Sequence, residues 1–329
     1  MTPATASPSE SDKSSEPPLP AVEEGAGHEG SAEYIELPRF SELDPDTAYP
    51  ITAASPTRVL VVAGLADSGK TTLVASIYEC FLKRRSFAGY CFAGSETLLG
   101  FEKRCHLART ASGLSRADTE RTGRSEGTPL LHLRVRPEGR KSPGRDLLFT
   151  DVFGEAFREA KDSSDACRRL GILRRADRLL LLVDGGELSQ NERRFAAYSA
   201  VRDFLRRSLD TGMLPLDPLV DVLATKWDIV DRLPPREKAS AEEYIRRIEA
   251  LLTEDFVGRV DNLRFGRIAA RPSPESALAL CHGVEPLFSA WVEESSLYRQ
   301  PGGHEALPRF EREIDRYLNR RGISRSGSR

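Results

Sequence analysis

Nine consecutive residues, Gly64-Leu65-Ala66-Asp67-Ser68-Gly69-Lys70-Thr71-Thr72, constrain the fold of this chain more than any others. They fit the phosphate-binding pattern G-x-x-x-x-G-K-[ST]. Just before them, Val59-Leu60-Val61-Val62-Ala63 is an unbroken apolar run, the reading of a buried parallel strand. After them, residues 71–83 can form a helix with Leu73, Ile77, Phe81 and Leu82 roughly along one face. The loop therefore joins a strand to a helix. Gly64 and Gly69 let the backbone curl so that successive N–H groups point inward at phosphate oxygens, with Asp67, Ser68 and Thr72 completing the loop. The helix N-terminus adds a partial positive charge. Lys70 is expected to bridge the terminal phosphates and the Thr71 hydroxyl to ligate Mg²⁺.

Two later stretches narrow the class. Leu147-Leu148-Phe149-Thr150-Asp151-Val152-Phe153-Gly154-Glu155 is an apolar strand ending in Asp-x-x-Gly. Asp151 can hold Mg²⁺ through a water, and the Gly154 N–H can swing onto a third phosphate. Further on, the mostly apolar strand Leu219-Val220-Asp221-Val222-Leu223-Ala224 runs into Thr225-Lys226-Trp227-Asp228. In GTPases an [N/T]-K-x-D sequence reads guanine. The Asp228 carboxylate would accept from the ring N1–H and the 2-amino group, a donor pair adenine lacks, while the Lys226 stem lies over the base. A buried polar match of this kind discriminates strongly.

In this order the three motifs resemble the small-GTPase-like branch of P-loop proteins, the translation-factor-related class, over about residues 57–290. Strands alternating with helices imply an α/β, doubly wound, mostly parallel sheet; the resemblance implies GTP or GDP and Mg²⁺ as ligands, and GTP hydrolysis. It directs attention to two more elements. Asp118-Thr119-Glu120-Arg121-Thr122, ahead of the strand Leu130-Leu131-His132-Leu133-Arg134-Val135, looks like the first switch of the bacterial gliding-polarity GTPases. By that likeness Thr122 is the Mg²⁺ threonine and Arg121 an internal arginine finger; Thr119 and Thr128 are alternatives for the first role, and Arg124 for the second. Ile268-Ala269-Ala270-Arg271, after the strand over 263–268, sits where a Ser-Ala-Lys-like guanine loop belongs.

The spacing departs from a minimal member. Lys70 and Asp151 lie about twice as far apart as that class leads one to expect. The surplus, from Gly89, reads as a short strand, a turn and a helix capped by Ser95. This pattern, with Thr-Asp-Val-Phe-Gly-Glu beyond it, resembles the bacterial paired or double GTPases, which often stand beside a partner GTPase in conflict or defence systems. That resemblance implies a protein partner, a second GTPase or an effector. Glu155 occupies the place where many relatives carry a water-orienting glutamine. A carboxylate cannot donate to the γ-phosphate, so two rival readings stay open: a GTP-gated binding module that hardly hydrolyses, and an ATP-using P-loop enzyme such as a kinase, which Thr225-Lys226-Trp227-Asp228 argues against.

Composition excludes little. The chain has 329 residues, 30% of them charged, and a net charge of −2, with no sign of bulk nucleic-acid affinity. Five scattered cysteines without a C-x-x-C read as reduced thiols, His106 and His132 as structural, and no long apolar run or leader is seen, which together suggest a cytoplasmic protein. Residues 1–55 are expected to be a disordered Pro/Ser/Glu-rich tail, with Tyr34-Ile35-Glu36-Leu37 and Phe40 as a short docking segment. The nucleotide domain is expected over 56–299. It includes a long helix over 191–209 with Phe195, Tyr198, Val201, Phe204 and Leu205 broadly inward, another over 237–252 and a final one over 286–298. A C-terminal segment, 300–329, carries an amphipathic helix striped by Phe310, Ile314, Tyr317 and Leu318.

Overall fold

The computed structural model describes residues 38, 40–106, 128–139, 144–215 and 217–293. The docking motif at 34–37, the switch positions Thr119, Arg121, Thr122 and Arg124, the end of the helix expected over 286–298 and the C-terminal amphipathic helix lie outside the described residues. Among those described, seven strands form one sheet: β1 (Thr57–Gly64), β2 (Tyr90–Gly94), β3 (Leu130–Pro137), β4 (Arg145–Asp151), β5 (Arg178–Asp184), β6 (Leu219–Thr225) and β7 (Asn262–Arg267). Their spatial order is β2-β3-β4-β1-β5-β6-β7. β4, β1, β5, β6 and β7 pair in parallel, while β3 runs opposite to both of its neighbours. The expected α/β, mostly parallel sheet is thus the observed one.

The helices are α1 (Pro45–Ala54), α2 (Lys70–Lys83), α3 (Leu98–His106), α4 (Gly154–Asp162), α5 (Ser164–Arg169), α6 (Gly185–Leu188), α7 (Arg194–Asp210), α8 (Trp227–Asp231), α9 (Pro235–Phe256) and α10 (Glu285–Glu293). Among the described residues no helix is long and apolar enough to cross a membrane. The helices cover both faces of the sheet, and β1 shows why. All eight of its residues are buried. Val59, Val61 and Ala63 enter one core with α4, α7 and α9; Leu60 and Val62 enter the other with α2, α3 and α10. A strand alternates its side chains between faces, so only an apolar run satisfies both. The first core is pinned by stacked Phe157 and Phe204, 4.4 Å between centroids. The second gathers Phe81, Phe87, Tyr90 and Trp291 around Phe288. Each fully buried phenyl ring contributes about 1.5–3 kcal/mol.

Several sequence expectations need correction. Periodicity turns Leu82 and Phe195 inward, yet they are 53% and 68% exposed. The first cap of α3 is Thr97, whose carbonyl accepts from Phe101 N–H, while Ser95 accepts from the Thr97 N–H and donates to the His132 carbonyl. The folded part begins before residue 55. Asp44 opens α1 with a reciprocal cap: its carboxylate accepts from Thr47 N–H at 2.8 Å, and the Thr47 hydroxyl accepts from Asp44 N–H at 2.9 Å. Leu43 pairs with Leu130 through two backbone hydrogen bonds of 2.9 Å and is 2% exposed. Glu42 pairs with Arg104, and Ser55 donates to Asp146. A composition-based boundary overlooks this segment because its anchoring residues are few and separated.

Two polar groups sit inside apolar runs. Asp221 on β6 accepts from Arg178 of β5 at 2.7 Å and from the Trp291 indole of α10 at 2.6 Å, and all three side chains are essentially inaccessible. Burial pushes the Asp221 carboxyl up from the ordinary aspartate value, against the pull of Arg178. His132 on β3 shares its two ring nitrogens between Glu96 N–H, which donates to Nδ1 at 2.9 Å, and Asp146, 2.9 Å from Nε2. That assignment leaves the proton of neutral His132 on Nε2, donated to the carboxylate. Burial opposes ionisation of Asp146, yet His132, Ser55 and Arg134 hold its carboxyl below the ordinary value.

Candidate functional site

The carboxyl ends of β1, β4, β5 and β6 open onto one edge of the sheet, the usual place for a ligand in a doubly wound fold. The loop after β1 is shaped by left-handed backbone at Asp67 (φ +62°) and Gly69 (φ +89°). Gly69 begins α2 without a side-chain cap, so no capping side chain competes with an anion for the first helical N–H groups. Gly64 is required by crowding: a Cβ there would lie 2.7 Å from Ser68 Oγ and 2.9 Å from the Leu182 carbonyl. Lys70 is 7% exposed and folds back on the loop, its ammonium donating to the Leu65 carbonyl at 2.8 Å and the Gly64 carbonyl at 3.2 Å. Burial pushes that ammonium below the ordinary lysine value, opposed by the carboxylates of Asp151, Asp67 and Glu155. Thr72 follows half-buried on the first turn of α2.

Thr71 and Asp151 meet directly. The Thr71 hydroxyl donates to an Asp151 carboxylate oxygen at 2.5 Å. The register of β1 and β4, with Val62 opposite Asp151, brings the two together across separate elements. Two hard oxygen donors beside a phosphate loop suit Mg²⁺, which takes few protein ligands and completes its shell with water and phosphate. Among the described residues no group of three or more His, Cys, Asp or Glu side chains forms a different metal site. Gly154 packs onto the phosphate loop so closely that a Cβ would sit 2.5 Å from Ala66 N. Glu155 stands exposed in the first turn of α4. Arg121 and Thr122 lie outside the described residues. Of the alternatives only Thr128 is described, two residues before β3.

The expected base-reading residues come from two segments, 225–228 and 269–271. Thr225, 4% exposed, donates to the Ser68 carbonyl at 2.8 Å and the Val183 carbonyl at 3.2 Å, tying the loop after β6 to the phosphate loop. Lys226 adopts a left-handed conformation (φ +50°) and places its ammonium 2.7 Å from Asp184 at the tip of β5. Asp228 is 6% exposed and accepts from Ser273 N–H at 3.1 Å. The loop holding Ala269 and Ala270 is fastened by backbone bonds: Trp227 N–H donates to the Ile268 carbonyl, Ala269 N–H to that of His282 and Cys281 N–H to that of Ala270. The Arg271 guanidinium turns to Glu79 of α2, at 3.0 Å. Sequence reading missed Asp184, Ser273 and Glu79. For Asp184 a signal existed, an acidic residue at a strand tip followed by Gly185-Gly186; for the other two none did.

Among solved structures, the chain is similar to the signal recognition particle receptor SRb-GTP/SRX complex from Chaetomium thermophilum, at 13% identity, covering 72% of this chain and 97% of that one, with a TM-score of 0.38. Translation elongation factor SelB from Methanococcus maripaludis, solved with the GTP analogue GppNHp, matches at 14% identity over 66% of this chain and 31% of its own, with a TM-score of 0.31. No functionally curated protein matches. The family model described as Double-GTPase 2 matches residues 58–292, which take in the phosphate loop, Asp151, Gly154, the Thr-Lys-Trp-Asp segment and the alanine loop. The chain belongs to the Double-GTPase 2 family.

Proposed function

We propose that this protein binds GTP with Mg²⁺ along the carboxyl edge of its sheet, hydrolyses it, and acts as a nucleotide-dependent switch. Family membership implies guanine-nucleotide binding; the finer reading rests on the site. The observation that carries it is the 2.8 Å bond from the Thr225 hydroxyl to the Ser68 carbonyl, which fastens the base-reading loop to the phosphate loop. With that link, the N–H groups after Gly69 and the Lys70 ammonium receive the phosphates, while Asp228 faces the base edge and the Lys226 stem its plane. Lys70 would exchange its two loop carbonyls for phosphate oxygens, a small movement. Thr71 and Asp151 would hold Mg²⁺, which supplies charge neutralisation between the phosphates when bound. Gly154, seated on Ala66, can report a third phosphate through its N–H, and α4 then follows as the moving element.

Turnover rests on Arg121 and Glu155. An arginine finger stabilises charge on the transferring phosphoryl group by about 10³–10⁵ in rate. In this reading Arg121 provides it and Thr122 joins the Mg²⁺ shell. The exposed Glu155 favours one second reading, a GTP-gated module with little intrinsic hydrolysis that a partner completes. The partner in either case is a second GTPase or an effector protein, by the family's character. The test is phosphate release from GTP and from ATP by the purified full chain with Mg²⁺. GTP-dependent release that falls by orders of magnitude in Arg121→Ala, with GTP affinity retained, supports the enzyme; Glu155→Gln should raise the rate or leave it unchanged. GTP binding without release supports the gated module, and preference for ATP refutes both.

A further inference from the structure

We infer that Asp184 is a positioning residue for base recognition, holding Lys226 stretched across the place where the nucleobase docks. The inference rests on the guanine reading above and deepens it. Asp184 ends β5, and its register partner on β6 is Thr225, the residue before Lys226. One carboxylate oxygen accepts from the Lys226 ammonium at 2.7 Å. The other accepts from Gly186 N–H, also at 2.7 Å, so the carboxylate is itself fixed. Gly185 makes the approach possible: a Cβ there would lie 2.2 Å from the Thr225 carbonyl oxygen and 3.1 Å from that of Lys226. The strand tip Asp184-Gly185-Gly186 is thus a template against which the Thr-Lys-Trp-Asp loop is moulded.

Lys226 is held at both ends. Its backbone is locked in the left-handed region, and its ammonium is clamped by Asp184. A lysine side chain left to itself samples many rotamers, and ordering it on binding costs affinity. The Lys226 and Asp184 side chains are 36% and 13% exposed, so the stem keeps an open face while the acceptor is sheltered. An ion pair with one such exposed partner adds little to folding. The effect of the Asp184–Lys226 pair therefore belongs in base affinity, and it is the bond to Gly186 N–H, the cap of α6, that supports the fold. The three neighbouring bonds divide the work: Thr225 ties the loop to the phosphates, Asp184 orients Lys226, and Asp228 is left to read the base.

The experiment is a titration of the full chain with GDP, ADP and inorganic pyrophosphate, all with Mg²⁺, in wild type, Asp184→Ala, Asp184→Asn, Lys226→Met and the double variant Asp184→Ala/Lys226→Met. Loss of preorganisation of one long side chain should weaken GDP binding of Asp184→Ala by about 3- to 10-fold. Pyrophosphate affinity should stay at the wild-type value, while the melting temperature of Asp184→Ala falls only through loss of the Gly186 N–H bond that caps α6, a loss that Asp184→Asn avoids. Asp184→Asn keeps an acceptor oxygen and should recover part of the loss. In the Lys226→Met background Asp184→Ala should cost nothing further, because the residue acts through the lysine. If wild type binds GDP no tighter than ADP, the guanine reading falls and this inference with it. The positioning role alone is overturned if wild type prefers GDP but Asp184→Ala keeps full GDP affinity or loses pyrophosphate equally. It is overturned too if Asp184→Ala costs as much in the Lys226→Met background as it does alone. Should Asp184→Ala fail to fold, Asp184→Ser, whose short side chain can still accept from Gly186 N–H but does not reach the Lys226 ammonium, carries the same comparison, and unchanged GDP affinity there refutes the role.

Discussion

Replacing Asp228 by Asn tests base recognition with the least disturbance. The two side chains have the same shape, and the Asn carbonyl can still accept from Ser273 N–H, the 3.1 Å bond that Asp228 makes in the protein. What changes is the other oxygen, which becomes an NH₂ donor where the proposed function puts the base edge. Against guanine that donor meets the N1–H and 2-amino donors, so bonds to a charged acceptor are lost in a site 6% exposed. Hydrogen bonds to charged groups are worth about 1.5–3 kcal/mol each, and the pair shares one carboxylate, so a total loss of roughly 2–4 kcal/mol is expected. That corresponds to about 30- to 1,000-fold in the dissociation constant. Xanthine carries a carbonyl where guanine has its amino group, and the variant should shift toward xanthosine diphosphate. The assay is competitive titration with GDP, XDP and ADP, alongside thermal melting of the nucleotide-free protein, which should hardly move because Ser273 N–H stays satisfied. GDP affinity unchanged in Asp228→Asn would refute the assignment of Asp228 to the base; a lower melting temperature with no change in selectivity would make it a structural acceptor only.

Thr71→Ala should weaken nucleotide binding more with Mg²⁺ than with EDTA, since the proposed function makes the hydroxyl beside Asp151 a metal ligand; equal losses in both buffers exclude it from the metal shell. Leu43→Ala should cost about 2–5 kcal/mol in denaturant unfolding, because Leu43 is 2% exposed and fastened to Leu130; a loss under about 1 kcal/mol would show that the segment before residue 55 does not pack on the core. The Asp146 carboxyl titrates below the ordinary aspartate value, so its stabilisation is present above that value and fades as the pH falls through the lower folded one. Asp146→Asn should therefore flatten the acid limb of stability below about pH 4. A variant whose acid limb matches wild type contradicts the role given to His132 and Ser55.

The local parts of this protein were legible because their causes are local. A phosphate loop needs its glycines within nine residues, and a strand buried on both faces needs a continuous apolar run, so β1, β4, β5 and the nucleotide motifs could be read directly. The alternation of strands and helices likewise led to the parallel sheet. Three arrangements were not legible. Asp221 looked like a blemish in an apolar strand until β5 and α10 brought Arg178 and Trp291 to it. Leu43 and Ser55 looked like the end of a tail until β3 and β4 gave them partners. Asp184 is one acid among many until register sets it opposite Thr225 and within reach of Lys226. In each case the partners are far apart along the chain, and many acids and leucines compete for them. Periodicity indicates which face most residues occupy, Leu82 and Phe195 being exceptions; only the closure of the sheet chooses which residue meets which, because a buried polar group left without a partner costs about 1–3 kcal/mol, a large share of a small net stability.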